Sequence, residues 1–194
     1  MKTTKKLVLV VTLMFGTLIS YANNANDFNT ILNAKKVRIG FKNVKKGHLL
    51  TVKDDNNVQL HSEIISQKGD LNKIFDFSSL NDGKYTVELS KDFEIVIKTF
   101  NVKNNRVLFN NNSKSVIYKP LIRNDENILM ISKIDFNKKP LKILVYYNNE
   151  VIYKETIEDN TVLNRVYKLN QDIKGEYSAV VYTNNRSYVK NFKI

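Results

Sequence analysis

Asp82-Gly83-Lys84-Tyr85-Thr86-Val87-Glu88-Leu89 and Lys174-Gly175-Glu176-Tyr177-Ser178-Ala179-Val180-Val181 are two renderings of one segment. Each opens on a Gly-x-Tyr step and runs on as a strand of β-branched, aromatic and small residues. The two glycines stand 92 positions apart, at 83 and 175. Sliding the chain by that offset sets Leu49 on Leu141, Asn56-Asn57 on Asn148-Asn149 and Glu63 on Glu155. It also sets Leu71-Asn72 on Leu163-Asn164, Lys98 on Lys190 and Phe100 on Phe192. Lys73 with Arg165, Ile74 with Val166 and Phe75 with Tyr167 are conservative pairs in between. Matches spread this evenly at one offset mean that the segment was duplicated.

Each copy reads as short strands separated by turns. Leu141–Tyr147 is apolar and β-branched, Asn148-Asn149 interrupts it, and Val151–Ile157 resumes. Asparagine tolerates left-handed backbone angles, so Asn56-Asn57, Asn110-Asn111-Asn112 and Asn184-Asn185 also read as turns. No stretch carries a sustained helical period with caps. At the repeat offset Lys53 faces Val145 and Asp54 faces Tyr146, which inverts inside and outside. A slip of one residue reverses every side chain of a strand, so the hairpin differs by one residue between copies, through a bulge.

The glycine of each Gly-x-Tyr step is expected at positive φ, and the tyrosine is expected to point inward and bond a loop carbonyl, as in the tyrosine corner of immunoglobulin-like domains. With no Cys and no Trp, the disulfide and tryptophan of antibody domains are absent. The expected architecture is all-β: two tandem Ig-like (fibronectin III-like) antiparallel β-sandwiches over residues 23–103 and 104–194, joined at Lys103-Asn104-Asn105. Pro120 is expected on an edge strand and Pro140 at a strand start.

The N-terminus points to export. Lys2, Lys5 and Lys6 precede an apolar run from Leu7 to Ile19, and Ser20-Tyr21-Ala22 supplies the small residues of a cleavage site after Ala22. Residues 1–22 are therefore expected to be a signal peptide, placing the chain in the periplasm or outside the cell. No later segment is apolar enough to span a membrane as a helix. Without cysteine each unit rests on its own core, and thiol nucleophiles and Cys-based zinc sites are excluded. The net charge is +12, or +9 once the three leader lysines are removed. The lysines are scattered, with pairs at Lys35-Lys36, Lys45-Lys46 and Lys138-Lys139, and form no nucleic-acid arm.

No constellation defines a reaction, so no catalytic or cofactor-binding residue is assigned. His48 and His61 lack partners at metal-ligand spacing, and Pro140 and Tyr153 fill their places in the second copy, which reads as surface filler. Asp54-Asp55-Asn56-Asn57, with Asp82, offers oxygen ligands for Ca²⁺, yet the same residues are favoured in hairpin turns, and the turn reading is stronger. Glu63 and Glu155 are shared by both copies and fall in separate units, so a structural role is expected. Tyr146, Tyr147, Tyr153, Tyr167, Tyr182 and Tyr188 crowd the second copy, and those that point outward would give a tyrosine-lined binding surface.

Lys45-Lys46-Gly47-His48-Leu49-Leu50, the Asp54-to-Glu63 hairpin, the stretch from Phe75 to Tyr85, and Tyr118-Lys119-Pro120 resemble secreted proteins of Bacteroidetes-type bacteria. That resemblance implies a Gram-negative host and Ig-like domains, and it brings no activity and no site residues. The second copy, with Gly175-Glu176-Tyr177 and Lys190-Asn191-Phe192-Lys193-Ile194, also resembles the C-terminal sorting domains of type IX secretion. The first copy has the same step without being terminal, which ties it to folding. The expected function is a non-enzymatic envelope protein that binds a protein or glycan, with a sorting role for the second unit as the alternative.

Overall fold

The computed structural model describes residues 29–31, 36–77, 79–109, 113–158 and 161–194. The expected signal peptide (residues 1–22) and the Asn110-Asn111-Asn112 turn lie outside them. Among the described residues every regular element is a strand, and every pairing is antiparallel.

The first unit contains β1 (Asn29–Ile31), β2 (Lys36–Val44), β3 (Leu49–Lys53), β4 (Gln59–Ile64), β5 (Gly69–Asp76), β6 (Gly83–Ser90) and β7 (Glu94–Lys103), followed by β8 (Arg106–Leu108) and β9 (Lys114–Tyr118). The second contains β10 (Leu121–Asp125), β11 (Ile128–Ile134), β12 (Leu141–Tyr147), β13 (Glu150–Ile157), β14 (Val162–Lys168), β15 (Glu176–Thr183) and β16 (Arg186–Lys193). One sheet of the first unit is β1-β2-β5 and the other is built on β4-β3-β6-β7; the second unit repeats this as β10-β11-β14 and β13-β12-β15-β16. The Ig-like sandwich is thus present twice, strand for strand.

Alternation builds both cores. In the first unit Val37, Ile39 and Phe41 of β2 meet Leu50, Val52, Tyr85, Val87, Leu89 and Phe100 from the opposite sheet. In the second, Leu129 and Ile131 of β11 meet Ile143, Val145, Tyr177, Ala179, Val181 and Phe192. Each fully buried apolar side chain contributes about 1.5–3 kcal/mol. The two clusters share no residue, so the described residues form two cores.

The tyrosine corners form as expected. The Tyr85 hydroxyl donates to the Asn81 carbonyl at 2.8 Å, and the Tyr177 hydroxyl donates to the Ile173 carbonyl at 2.8 Å. Behind them Tyr85 stacks on Phe100 at 5.5 Å and Tyr177 on Phe192 at 5.6 Å. The glycines ahead of them differ. Gly175 has φ 154°, and a Cβ there would lie 2.7 Å from the Tyr147 ring. Gly83 is not at positive φ, and a Cβ there would meet only the Tyr85 ring, at 3.9 Å.

Further expectations need correction. The β3–β4 and β12–β13 hairpins do differ by one residue, but both carry a bulge, at Val52/Lys53 and at Val145/Tyr146. The extra residue sits in the turn. Asn148-Asn149, at φ 46° and 70°, closes the second hairpin in two residues. The first takes three, Asp55 to Asn57, with Asn57 at φ 63°. Register therefore places Leu50 opposite Glu63 as Ile143 lies opposite Glu155, and β3 matches β12 one residue beyond the repeat offset. Leu49 accordingly corresponds to Lys142, not Leu141.

The boundary also moves. Asn104 and Asn105, at φ 49° and 59°, are a hairpin turn that sends β8 back onto β7, with Lys103 opposite Arg106. β9 then pairs with the other end of β7, Ile95 opposite Ile117. Turn and linker share a short polar composition, which is why the sequence suggested a join there. The first sandwich runs to Tyr118, and the connection to β10 is Lys119-Pro120. Pro120 thus lies between strands, whereas Pro140 does precede a strand, β12.

Candidate functional site

The shared glutamates each bridge the two sheets of their unit. Glu63 on β4 accepts from Lys73 Nζ on β5 at 2.6 Å, and Glu155 on β13 accepts from Arg165 Nε on β14 at 2.9 Å. The Lys73 bond holds the Glu63 carboxyl below its ordinary value. Burial alone would raise Glu155, but the hydroxyl of Tyr167 and the guanidinium of Arg165 outweigh it and hold that carboxyl low too. These ion pairs close one open side of each sandwich.

His61 is half exposed beside Glu63, 3.7 Å away. His48 is not surface filler. It is 4% exposed, and its true counterpart is the buried Leu141, because Ile65 pairs with His48 as Ile157 pairs with Leu141. Its Nδ1 accepts from the Lys45 amide at 3.1 Å, and its Nε2 lies 3.5 Å from Asp92. Asp54 serves the turn, its Oδ1 accepting from the Asn56 amide at 3.0 Å and the Val58 amide at 2.8 Å. Asp82 accepts from the Asn104 amide at 3.0 Å, which braces the β7–β8 turn.

The tyrosines divide by strand parity. Tyr147 lies against the second core and donates to the Lys174 carbonyl at 3.1 Å, and Tyr167 and Tyr188 pack against that core as well. Tyr153 is half exposed at the β13 edge, 5.1 Å from Tyr167. Tyr146 and Tyr182 lie on the opposite, outer face of the β13-β12-β15-β16 sheet. On that face Leu144, Val180 and Val189 form one row across β12, β15 and β16. Val189 is 59% and Tyr182 42% exposed, whereas Leu144 and Val180 are buried at 8% each. Lys142 adds a cation 5.9 Å from the Tyr182 ring. The result is an aromatic and apolar face edged with lysine.

The same face of the first unit is already occupied. Its corresponding row is Thr51, Glu88 and Ile97. Glu88 accepts from Lys53 Nζ at 3.0 Å on its own face and from Arg186 Nη2 of the second unit at 2.5 Å. Burial would raise the Glu88 carboxyl, but Arg186 and Lys53 together hold it below its ordinary value. Arg186 follows the Asn184-Asn185 turn between β15 and β16, so the tip of that hairpin rests on the first sandwich. The connection is pinned as well. The Lys119 amide donates to the Phe93 carbonyl at 2.8 Å, and Lys119 Nζ donates to the Lys91 carbonyl.

Sequence reasoning missed Glu88 and Arg186. Alternation places Glu88 on the outer face of its sheet, but no pattern within one unit says that a second unit lands there.

No family model matches the chain, and no curated protein matches it. Among solved structures, the BSP domain of a biofilm associated protein aligns over 84% of this chain and 27% of its own, at 12% identity and TM-score 0.28. The human OSCAR ligand-binding domain aligns over 82% of this chain and 89% of its own, at 8% identity and TM-score 0.24. The Group B Streptococcus pullulanase SAP aligns over 81% of this chain and 21% of its own, at 12% identity and TM-score 0.23. The chain thus spans about a quarter of the biofilm protein and about a fifth of the pullulanase.

Proposed function

We propose that this chain is an exported, non-enzymatic binding protein of the cell envelope, which engages a protein or glycan partner through the outer face of its second sandwich. One contrast carries the reading. Where the first unit places Glu88 and holds its neighbour, the second has the buried Val180 and Leu144 and shows Val189 and Tyr182, with Tyr146 beside them. An apolar and aromatic patch edged with cations suits a partner of different chemistry. It does not suit another Arg-tipped hairpin, because a guanidinium set against Val180 would lose its carboxylate and its water together.

The charged groups described above are used in ion pairs and turns, which supports a role without catalysis. The Gly-x-Tyr step makes the same corner in both units, so nothing about it favours a sorting role for the second.

The test is capture from envelope extracts by the mature chain and by a Tyr146→Ala/Val189→Lys variant. Both substituted residues lie on the outer face, so the variant keeps its core. The expected result is a defined captured species that the variant loses. Unchanged capture by the variant contradicts the assignment of this face.

A further inference from the structure

The contact between the units also creates a groove of about 730 Å³, within the usual range for small-molecule sites. Its walls include Ile117 of β9, Lys139 and Tyr182, with Asn184, Asn185 and Arg186 at the tip of the β15–β16 hairpin. Among the described residues, no carboxylate lines it. Glu88 is engaged by Arg186 and Lys53, and Asp135 by Lys133 and the Asn184 carboxamide. The groove therefore combines a half-exposed phenol ring, the Lys139 ammonium, an Arg186 guanidinium paired with Glu88, and two carboxamides.

We propose that this groove is a binding site for a carboxylated saccharide, an inference that rests on reading the chain as an envelope binding protein. Each wall matches one part of such a ligand. The Tyr182 ring offers a flat apolar surface for the C–H face of a sugar. Asn185 and Ser187 supply donors and acceptors for hydroxyls, while the Asn184 amide already donates to Asp135. Lys139 supplies the charge-assisted donor for the carboxylate, because the charge of Arg186 is met by Glu88. An acidic peptide fits less well. β16 is the edge strand of its sheet, but a peptide added there would present no flat C–H face to the Tyr182 ring. The Glu88–Arg186 bond and the pinned Lys119 hold the groove's two walls at a fixed spacing. Recognition then requires little ordering on binding.

The test is calorimetry on the chain without residues 1–22, using a galacturonic-acid trisaccharide, the neutral galactose trisaccharide and a glutamate-rich peptide. The acidic sugar is expected to bind at least about ten-fold more tightly than the other two, a step of roughly 1.4 kcal/mol. Tyr182→Ala should weaken both sugars, whereas Lys139→Gln should weaken only the acidic one. Both side chains are exposed, and an unchanged thermal unfolding midpoint confirms that the variants fold. Failure to bind the acidic sugar, preference for the peptide, or full binding by Tyr182→Ala overturns the inference. If capture through Tyr146 and Val189 persists while the sugars fail, the groove assignment alone falls. If capture fails and the acidic sugar binds, the outer-face reading falls instead.

Discussion

Gly83 and Gly175 occupy the same place in the repeat for different reasons. At Gly175 a methyl group would stand 2.7 Å from the Tyr147 ring, on a backbone at φ 154°. At Gly83 the added carbon would make only ordinary contact. Gly175→Ala is therefore expected to cost about 1–3 kcal/mol and Gly83→Ala less than about 1, both measured by urea unfolding. Comparable losses at the two positions would contradict this. The tyrosines that follow are equivalent: Tyr85→Phe and Tyr177→Phe should each cost about 1 kcal/mol, the net worth of one hydroxyl bond. Burial raises the phenol of both, so their contribution holds below the ordinary tyrosine value and fades as pH climbs past it. The Tyr corner was legible because it depends on residues adjacent in sequence. The reason for Gly175 was not, because Tyr147 comes from a different strand, β12.

The first hairpin differs from the second only in its turn, with the strand registers on either side kept. Replacing Asp55-Asn56-Asn57 with the two residues Asn-Asn should therefore preserve the fold and change stability by no more than about 2 kcal/mol, as read from denaturant midpoints. Were the extra residue part of β3, the same deletion would turn Leu50 and Val52 outward and unfold the unit. The slip was visible in the sequence because alternation is strict on a half-buried strand. Its location was not, since a bulge and a longer turn shift alternation equally. The same ambiguity hid β8: Lys103-Asn104-Asn105 has the composition of a linker and the backbone of a hairpin turn. His48 was misread for a related reason, because the shifted register exchanged its buried counterpart Leu141 for Pro140.

The joint between the units is electrostatic where Arg186 meets Glu88 and covalent at Lys119-Pro120. The Glu88 carboxyl is held below its ordinary value, so its contribution is complete above the normal glutamate range and is lost as pH falls through the lowered value. Inter-unit distances from small-angle scattering should broaden on acidification, and Glu88→Gln should broaden them at neutral pH. A distribution unmoved by both changes contradicts the latch. The most direct test of the two-sandwich account is to express residues 23–118 and 119–194 separately and follow thermal unfolding of each by near-ultraviolet dichroism. The account predicts a cooperative transition for each piece, and loss of cooperativity when the first is cut at Lys103 and so deprived of β8 and β9. If neither piece folds without the other, or the shorter first piece is as stable as the longer, the account is wrong.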